Sequence, residues 1–349
     1  MKELIDRLEQ TGNLEDSELK ALLLCDDPEV NEYLKERARA VRETHYGKDV
    51  YLRGLIEFTN YCKNNCIYCG IRAGNAKAER YRLTEDEILS CSDEGYKLGF
   101  RTFVLQGGED PYYTDDVMVS IVKNIRERHP DCAITLSIGE RSRESYQKLH
   151  DAGADRYLLR HETANKEHYK KLHPETMSFD NRMKCLRDLK EIGYQVGCGM
   201  MIGSPYQTID DLISDIRFIR ELKPEMVGMG PFIPHHDTPF ADEKGGTSEM
   251  TIKLISIVRL ILPDVLLPAT TALGTVDSLG REKGILAGAN VLMPNLSPSG
   301  VREKYLLYDN KICTGEEAAE CIRCLSVRVS KTGYSVVQGR GDHKSFIKS

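Results

Sequence analysis

Residues 54–72 read Gly-Leu-Ile-Glu-Phe-Thr-Asn-Tyr-Cys-Lys-Asn-Asn-Cys-Ile-Tyr-Cys-Gly-Ile-Arg. A short apolar run, Gly54–Thr59, ends in a polar loop that carries Cys62, Cys66 and Cys69. The C-x3-C-x2-C spacing lets one loop aim all three thiols at one point. A structural zinc site closes with four ligands. This cluster has three, and no other Cys or His lies close in sequence. Thiolates are soft donors that suit iron–sulfur clusters. A [4Fe–4S] cube held by three cysteines leaves one iron open to a ligand that is not protein. Other readings are a zinc site that borrows a distant ligand, a disulfide, and a chance trio of buried thiols. A disulfide needs an oxidising compartment, and Lys63, Asn64 and Asn65 make this a polar loop.

Outward from that loop, the chain from Val50 onward alternates short apolar runs with helical stretches. That texture predicts βα units on a parallel sheet. The expected strands are Gly54–Thr59, Thr102–Gly107, Ala133–Gly139, Arg156–Arg160, Gln195–Met201, Met226–Phe232, Leu266–Thr271 and Asn290–Met293. Between them one helix opens at Thr84 with Glu87 three residues on, a capping box, and another at Thr208. Further helices fit residues 114–128, 142–152, 180–192, 248–262 and 278–287. Eight strands in this order suit an α/β fold of the closed (β/α)8 TIM-barrel type. Ahead of it, Glu3–Glu9 and Asp16–Leu24 carry apolar residues at helical spacing. Asp27-Pro28 then reads as an N-cap with Pro at the first helical position, opening a helix that stops near Gly47. The expected division is N-terminal helices over 1–48 packed outside, the barrel over 49–300, and a C-terminal extension over 301–349.

The 349 residues are 40% hydrophobic, enough for a large core, and carry a net charge of −6, which argues against a general nucleic-acid binder. No apolar run approaches membrane-spanning length. The first ten residues, MKELIDRLEQ, are charged and unlike a signal peptide. Eleven cysteines without an export signal suit a reducing, cytoplasmic setting, where clustered cysteines bind metal.

A barrel gathers its chemistry at the C-terminal ends of the strands, and the unusual residues fall there. The cysteine loop follows the first strand, Gln106-Gly107-Gly108-Glu109-Asp110 the second, Ser137 and Glu140 the third, and Arg160-His161-Glu162-Thr163 the fourth. Gly199 to Gly203 ends the fifth, Pro231 to His236 the sixth, Thr270-Thr271 the seventh and Met293-Pro294-Asn295 the eighth. The cysteine spacing resembles the radical S-adenosylmethionine (SAM) superfamily. There the open iron chelates the methionine end of the cofactor, and an aromatic residue, here Tyr68, sits near the adenine. Gly107-Gly108-Glu109 is similar to the motif that receives the methionine amino group, and two glycines let a ligand approach the backbone. Gly199-Met200-Met201-Ile202-Gly203 resembles the motif bordering the adenine. Gln207 stands where many members carry Glu. Glu162 is a candidate for the ribose or amino end. Arg182, a planar fork, is a candidate for the carboxylate, with a solvated helix position as its plainer reading. Arg53, Arg160, Thr270, Thr271, Met293 and Tyr305 are expected at the mouth, offering cations and hydroxyls to a small anionic substrate. His235 and His236 are read as surface residues rather than metal ligands. The tail has a second trio, Cys313, Cys321 and Cys324, whose C-x7-C-x2-C spacing suggests another Fe–S site, of the [2Fe–2S] kind, against the plain reading of unligated thiols.

Longer stretches narrow the resemblance. These are Ile56–Asn60, Val104–Tyr112, Gly153–Asn165, Gly230–His235, Pro268–Ala272 and Gly288–Asn295. Together they resemble the radical-SAM maturases of [FeFe]-hydrogenase, the HydE type, over about Val50 to Cys324. The tail trio matches a second-cluster site found in some members. The resemblance implies an enzyme that helps build the diiron subcluster of the hydrogenase H-cluster. In that family a reduced cube passes one electron to SAM, leaving methionine and a 5′-deoxyadenosyl radical. The radical acts on the sulfur of a cysteine-bound iron carbonyl–cyanide complex made by a partner maturase. It also implies a ferredoxin or flavodoxin as electron donor, and no nucleic-acid or membrane partner. Methylornithine synthase shares much of the pattern, and biotin synthase is more distant. A non-catalytic iron–sulfur scaffold or electron carrier is the reading from another class, and a carrier needs no cofactor pocket.

Overall fold

The computed structural model describes residues 1–315 and 318–346, with the side chains of 318–321 outside the description. Helices α1 (Lys2–Thr11), α2 (Asp16–Leu24) and α3 (Pro28–Tyr46) come first. The Asp27 carboxylate accepts the Glu29 N–H, Pro28 opens α3, and Gly47 ends it at φ 55°. Then follow β1 (Asp49–Leu52), β2 (Gly54–Thr59), α4 (Glu85–Lys97), β3 (Thr102–Gly107), α5 (Asp115–Arg128), β4 (Ala133–Ser137), α6 (Arg143–Asp151) and β5 (Arg156–Leu158). Next come α7 (Lys166–Leu172), α8 (Phe179–Ile192), β6 (Gln195–Ile202), α9 (Ile209–Leu222), β7 (Met226–Pro231), α10 (Ser248–Ile261), α11 (Thr271–Val276) and α12 (Gly280–Leu286). The chain continues through β8 (Val291–Leu292), α13 (Ser299–Arg302), α14 (Ala318–Ser330) and β9 (Ser335–Val337).

Strands β2 to β7 form one parallel sheet in chain order. Each loop at a strand's C-terminal end leads towards a helix with a side-chain cap. Thr84, Thr114, Ser142, Asn165, Ser178, Thr208, Thr247 and Thr270 each accept a backbone N–H, a contribution of about 1 kcal/mol apiece. The expected closed ladder of eight strands is not what forms. Strand β1 instead joins β8 and β9 in a separate three-stranded sheet. Single pairings, Leu55–Asn295, Met226–Leu266 and Pro268–Val291, link the two sheets. The strand expected over Leu266–Thr271 reduces to two of these, because Pro268 has no N–H to donate and Thr270 caps α11.

One hydrophobic cluster runs from Ile5 through the strands to Leu325, Val329 and Tyr334. Helix α3 packs along α10 and α2 against α9, so the N-terminal helices lie on the outer helices of the α/β fold. No described helix is long and apolar enough to cross a membrane.

The floor of the sheet, at the strands' N-terminal ends, is closed by charge. The Arg156 guanidinium is wholly buried and lies 2.6 Å from Asp342. Arg340 pairs with the same carboxylate at 2.7 Å, and Gln195 donates to it at 2.8 Å. Burial works against the Asp342 charge, but Arg156 and Arg340 outweigh it and hold the carboxyl below the usual range. Stability from such a group is present above about pH 4 and is lost as the pH falls through the folded-state value. Asp342→Asn leaves Arg156 without its counter-charge. It should lower unfolding stability by about 3 kcal/mol, read from guanidinium denaturation at neutral pH. The variant should also lose stability less steeply than the parent on acidification.

Candidate active site

The cysteine loop hangs between β2 and an anchor on β3. Lys63 N–H donates to the Glu109 carbonyl at 2.9 Å, and its ammonium lies 3.3 Å from the Glu109 carboxylate. Gly108 has to be glycine here, since a Cβ would sit 2.2 Å from the Tyr61 carbonyl and 2.7 Å from Cys62 Cβ. Gly139, at φ +76°, leaves the space that Glu109 fills, a Cβ there falling 2.1 Å from Glu109 Cγ. The Glu140 N–H donates to Glu109 Oε1 at 2.9 Å. On the other side, Gly70 N–H bonds the Leu307 carbonyl, and its Cα faces His235 and the Leu306 carbonyl.

Cys62, Cys66 and Cys69 are all half-buried. Burial pushes the Cys69 thiol up to about 12, with Cys62 adding to it. It raises Cys66 too, reinforced by both other thiols. Three clustered thiols that resist ionisation fit a cationic iron centre, whose charge would stabilise the thiolates. Tyr68 and Met201 belong to one apolar patch with Ile67, Leu172, Phe232 and Phe240. Burial and the nearby Glu162 and Cys66 keep the Tyr68 phenol protonated.

Glu162 follows β5 with a left-handed backbone, φ +64°. Such a conformation is uncommon outside glycine and stores strain. Its N–H donates to the Gly199 carbonyl, and its side chain is buried. Arg160 Nη2 lies 2.9 Å from Glu162 Oε2, yet the alignment is poor, and both atoms lack a hydrogen bond among the described residues. Arg182, expected either at the cofactor or in solvent, is buried. It donates to Glu140 Oε1 and to the Arg160 carbonyl, both at 2.5 Å. Burial opposes its charge, but Tyr169 and Glu140 more than compensate, so it stays cationic. Gln207 closes the turn after β6, donating to the Met201 carbonyl and accepting from Gly203 N–H. Gln106, in register with Ser137, is 3.4 Å from the Tyr305 hydroxyl. Glycine at 107 fits against Phe58 and Thr59.

The remaining candidates separate. Tyr305 is buried beside Glu57 and Cys69. Thr270 caps α11 and faces Gly230, and Thr271 accepts from Arg281 at 3.3 Å. Met293 packs on the inner layer of Tyr46, Met226, Leu266 and Val291. Arg53 is not at the mouth. It precedes β2, so it lies on the floor, donating to Met226 Sδ at 2.7 Å near Arg156 and Asp342. Its Nε and Nη2 have no partner among the described residues. In the tail, Cys313 Sγ is 3.6 Å from both Arg281 Nη atoms. Arg328 feels Cys324 and Cys313 together. The Cys321 side chain lies outside the described residues. His236 bonds Asp309 at 2.7 Å and lies 3.1 Å from Asp237, so its partners are already carboxylates.

Sequence reasoning missed three groups at the mouth. Glu57 is buried inside β2, where Lys311 meets it at 2.7 Å and Asn295 donates at 2.7 Å. Its signal was an acid in an otherwise apolar strand. Lys311 and Tyr308 arrive from the tail with no local signal, and Tyr308 is half-buried within reach of the Glu57 and Arg160 charges.

A parallel α/β sheet that offers three thiols, a glycine cradle and a buried carboxylate at one mouth has the layout of a radical-SAM enzyme. The model of the Radical SAM superfamily matches residues 56–219. The chain is 47% identical over 348 residues to the [FeFe] hydrogenase maturase subunit HydE of Thermotoga maritima, covering 100% of this chain and 99% of that one. It is 32% identical to 3-methylornithine synthase of Methanosarcina barkeri, over 88% of this chain and 87% of the relative. The crystal structure of methylornithine synthase (PylB) superposes with a TM-score of 0.85 at 30% identity, covering 96% and 97%. The chain belongs to the radical SAM superfamily and, within it, to the HydE family of [FeFe]-hydrogenase maturases. It is an enzyme whose family cofactors are a [4Fe–4S] cluster and SAM.

Proposed function

We propose that this chain reductively cleaves SAM and uses the product to act on a small anionic, cysteine- and iron-derived substrate during assembly of the diiron subcluster of the H-cluster. The observation that carries this reading is the loop of three thiols, two of which feel the buried Glu162 carboxylate, in a chain 47% identical to a HydE maturase. When bound and reduced, the cluster supplies the electron that breaks a C–S bond of SAM, giving methionine and a 5′-deoxyadenosyl radical. Cys62, Cys66 and Cys69 would hold the cluster. Tyr68 and Met201 would border the adenine. The backbone of Gly107-Gly108-Glu109 would take the amino group, with Gln106 and Ser137 beside it. Glu162 would accept from the cofactor's amino or ribose groups, and Arg182 would support this wall through Glu140 and the Arg160 carbonyl. Arg160, Thr270, Thr271, Met293 and Tyr305 would hold the substrate.

The α/β sheet, with the stretch from Leu266 to Asn295, serves in this reading as a (β/α)8-type barrel whose wall is completed by single pairings. Cys313, Cys321 and Cys324 would hold a second, [2Fe–2S] cluster. Arg281 and Arg328 beside Cys313 would favour its thiolate. Partner maturases in the cytoplasm would supply the substrate and a ferredoxin or flavodoxin the electron. The test is maturation itself. A hydrogenase produced with its other maturases but without a HydE should gain activity when this chain is added. No gain, with lysine converted to methylornithine instead, would overturn the assignment.

A further inference from the structure

The segment joining α7 to α8 touches the cysteine loop at three successive residues. The Ile67 N–H donates to the Leu172 carbonyl at 2.9 Å. The Tyr68 hydroxyl lies 3.3 Å from His173 Nε2. The Cys66 Sγ lies 3.6 Å from Met177 Sδ. His173 is almost fully buried, with its Nδ1 3.0 Å from the Tyr169 carbonyl and its ring stacked on Tyr169 at 3.9 Å. A carbonyl only accepts, so Nδ1 carries the proton and Nε2 presents a lone pair. Burial and the neighbouring Arg182 keep the ring neutral, its pKa pulled down to about 3. The Tyr68 hydroxyl is therefore the donor to His173, and the Tyr68 ring meets the His173 ring edge-on at 5.6 Å.

We propose that His173 is a positioning residue for cofactor binding: it takes the Tyr68 hydroxyl proton in a hydrogen bond and so fixes the Tyr68 ring as one wall of the adenine pocket. The inference rests on the reading of this mouth as the SAM site. A tyrosine ring torsion is broad and two-fold, so apolar contacts alone leave the ring free to tilt. Tethering the hydroxyl at one end, with Ile67 held to Leu172 one residue earlier, leaves the ring a single orientation against Met201 and Phe232. His173 is itself locked from behind by the stack and the carbonyl of α7. Helix α7 in this way supports the Tyr68 wall from behind, through Tyr169 and Leu172.

The test is SAM binding to the anaerobically reconstituted full chain, followed by the change in the electron paramagnetic resonance signal of the reduced cluster as SAM is titrated. His173→Phe should keep its iron and sulfide but bind SAM about tenfold more weakly. His173→Gln, whose amide can still accept from Tyr68, should stay within about threefold of the parent. Tyr68→Phe should match His173→Phe, and the double variant should lose nothing further. Parent-like SAM affinity in His173→Phe, or two additive losses in the double variant, would overturn the proposal. If His173→Phe fails to hold iron, His173→Gln and Tyr68→Phe decide: a parent-like Tyr68→Phe, or a His173→Gln weakened about tenfold, would overturn it. Absence of SAM binding by the parent would instead sink the reading of the site.

Discussion

A Cys66→Ala variant should form no 5′-deoxyadenosine above background when reduced and given SAM. The argument is one of ligand number. The loop carries three thiols that feel one another's charge, and removing one leaves two, with no further cysteine among the described residues of the loop to replace it. Met177 is the sulfur closest to hand, at 3.6 Å from Cys66, but a neutral thioether is a poor substitute for a thiolate in an iron–sulfur cluster. The loss should be of the cluster and not of the fold. Cys66 lies on a loop and is half-buried, so little packing depends on it. Iron content should fall while the thermal midpoint of the metal-free protein stays that of the parent. Full 5′-deoxyadenosine formation by the variant would contradict the assignment of the cluster ligands.

Gly108→Ala should be nearly as damaging, although it removes no functional group. The added carbon meets the Tyr61 carbonyl at 2.2 Å and Cys62 Cβ at 2.7 Å. One obstacle is backbone, so no side-chain rotation relieves it. Overpacking of this kind costs about 1–3 kcal/mol, and here the displacement falls on the residue before Cys62 and on Cys62 itself. A shift of about 1 Å in reacting groups lowers rates by roughly a hundredfold. Formation of 5′-deoxyadenosine per bound iron should therefore drop by about ten- to a hundredfold. Gly300, with open space around it, is the matched control, and Gly300→Ala should leave turnover unchanged. Equal turnover in Gly108→Ala and its parent would remove the cradle from the account.

Much of the fold was legible because its signals are local. The capping box at Thr84 and the caps at Asp27 and Thr208 all start helices within a residue of where the pattern puts them. Strands β2 and β3 match their expected ends, as their apolar runs stop at polar or glycine residues. What failed was non-local. Thr270-Thr271 reads as strand from β-branching alone, yet Thr270 is a better cap once α11 folds beneath it. Strand β9 exists only because the tail returns to pair with β1, 286 residues earlier in the register Asp49–Ser335; no window of sequence contains that partner.

The site divides the same way. The cysteine loop and the Gly107-Gly108 cradle were readable because spacing and residue type carry their chemistry. Arg182 was ambiguous on an amphipathic helix, and only packing showed it buried against Glu140. Arg53 was misplaced at the mouth because adjacency to the first strand does not say which end of the strand a residue occupies. His173 and Lys311 act through partners 105 and 254 residues away, and nothing in their neighbours announces that.

The most direct test of the central claim is Mössbauer and electron paramagnetic resonance spectroscopy of the anaerobically reconstituted chain, with Cys313 and Cys324 replaced by alanine. The account predicts about four irons per chain in one cube, with one iron distinct from the other three and a signal that changes when SAM is added. Zinc retained in place of iron, or four equivalent irons indifferent to SAM, would contradict it.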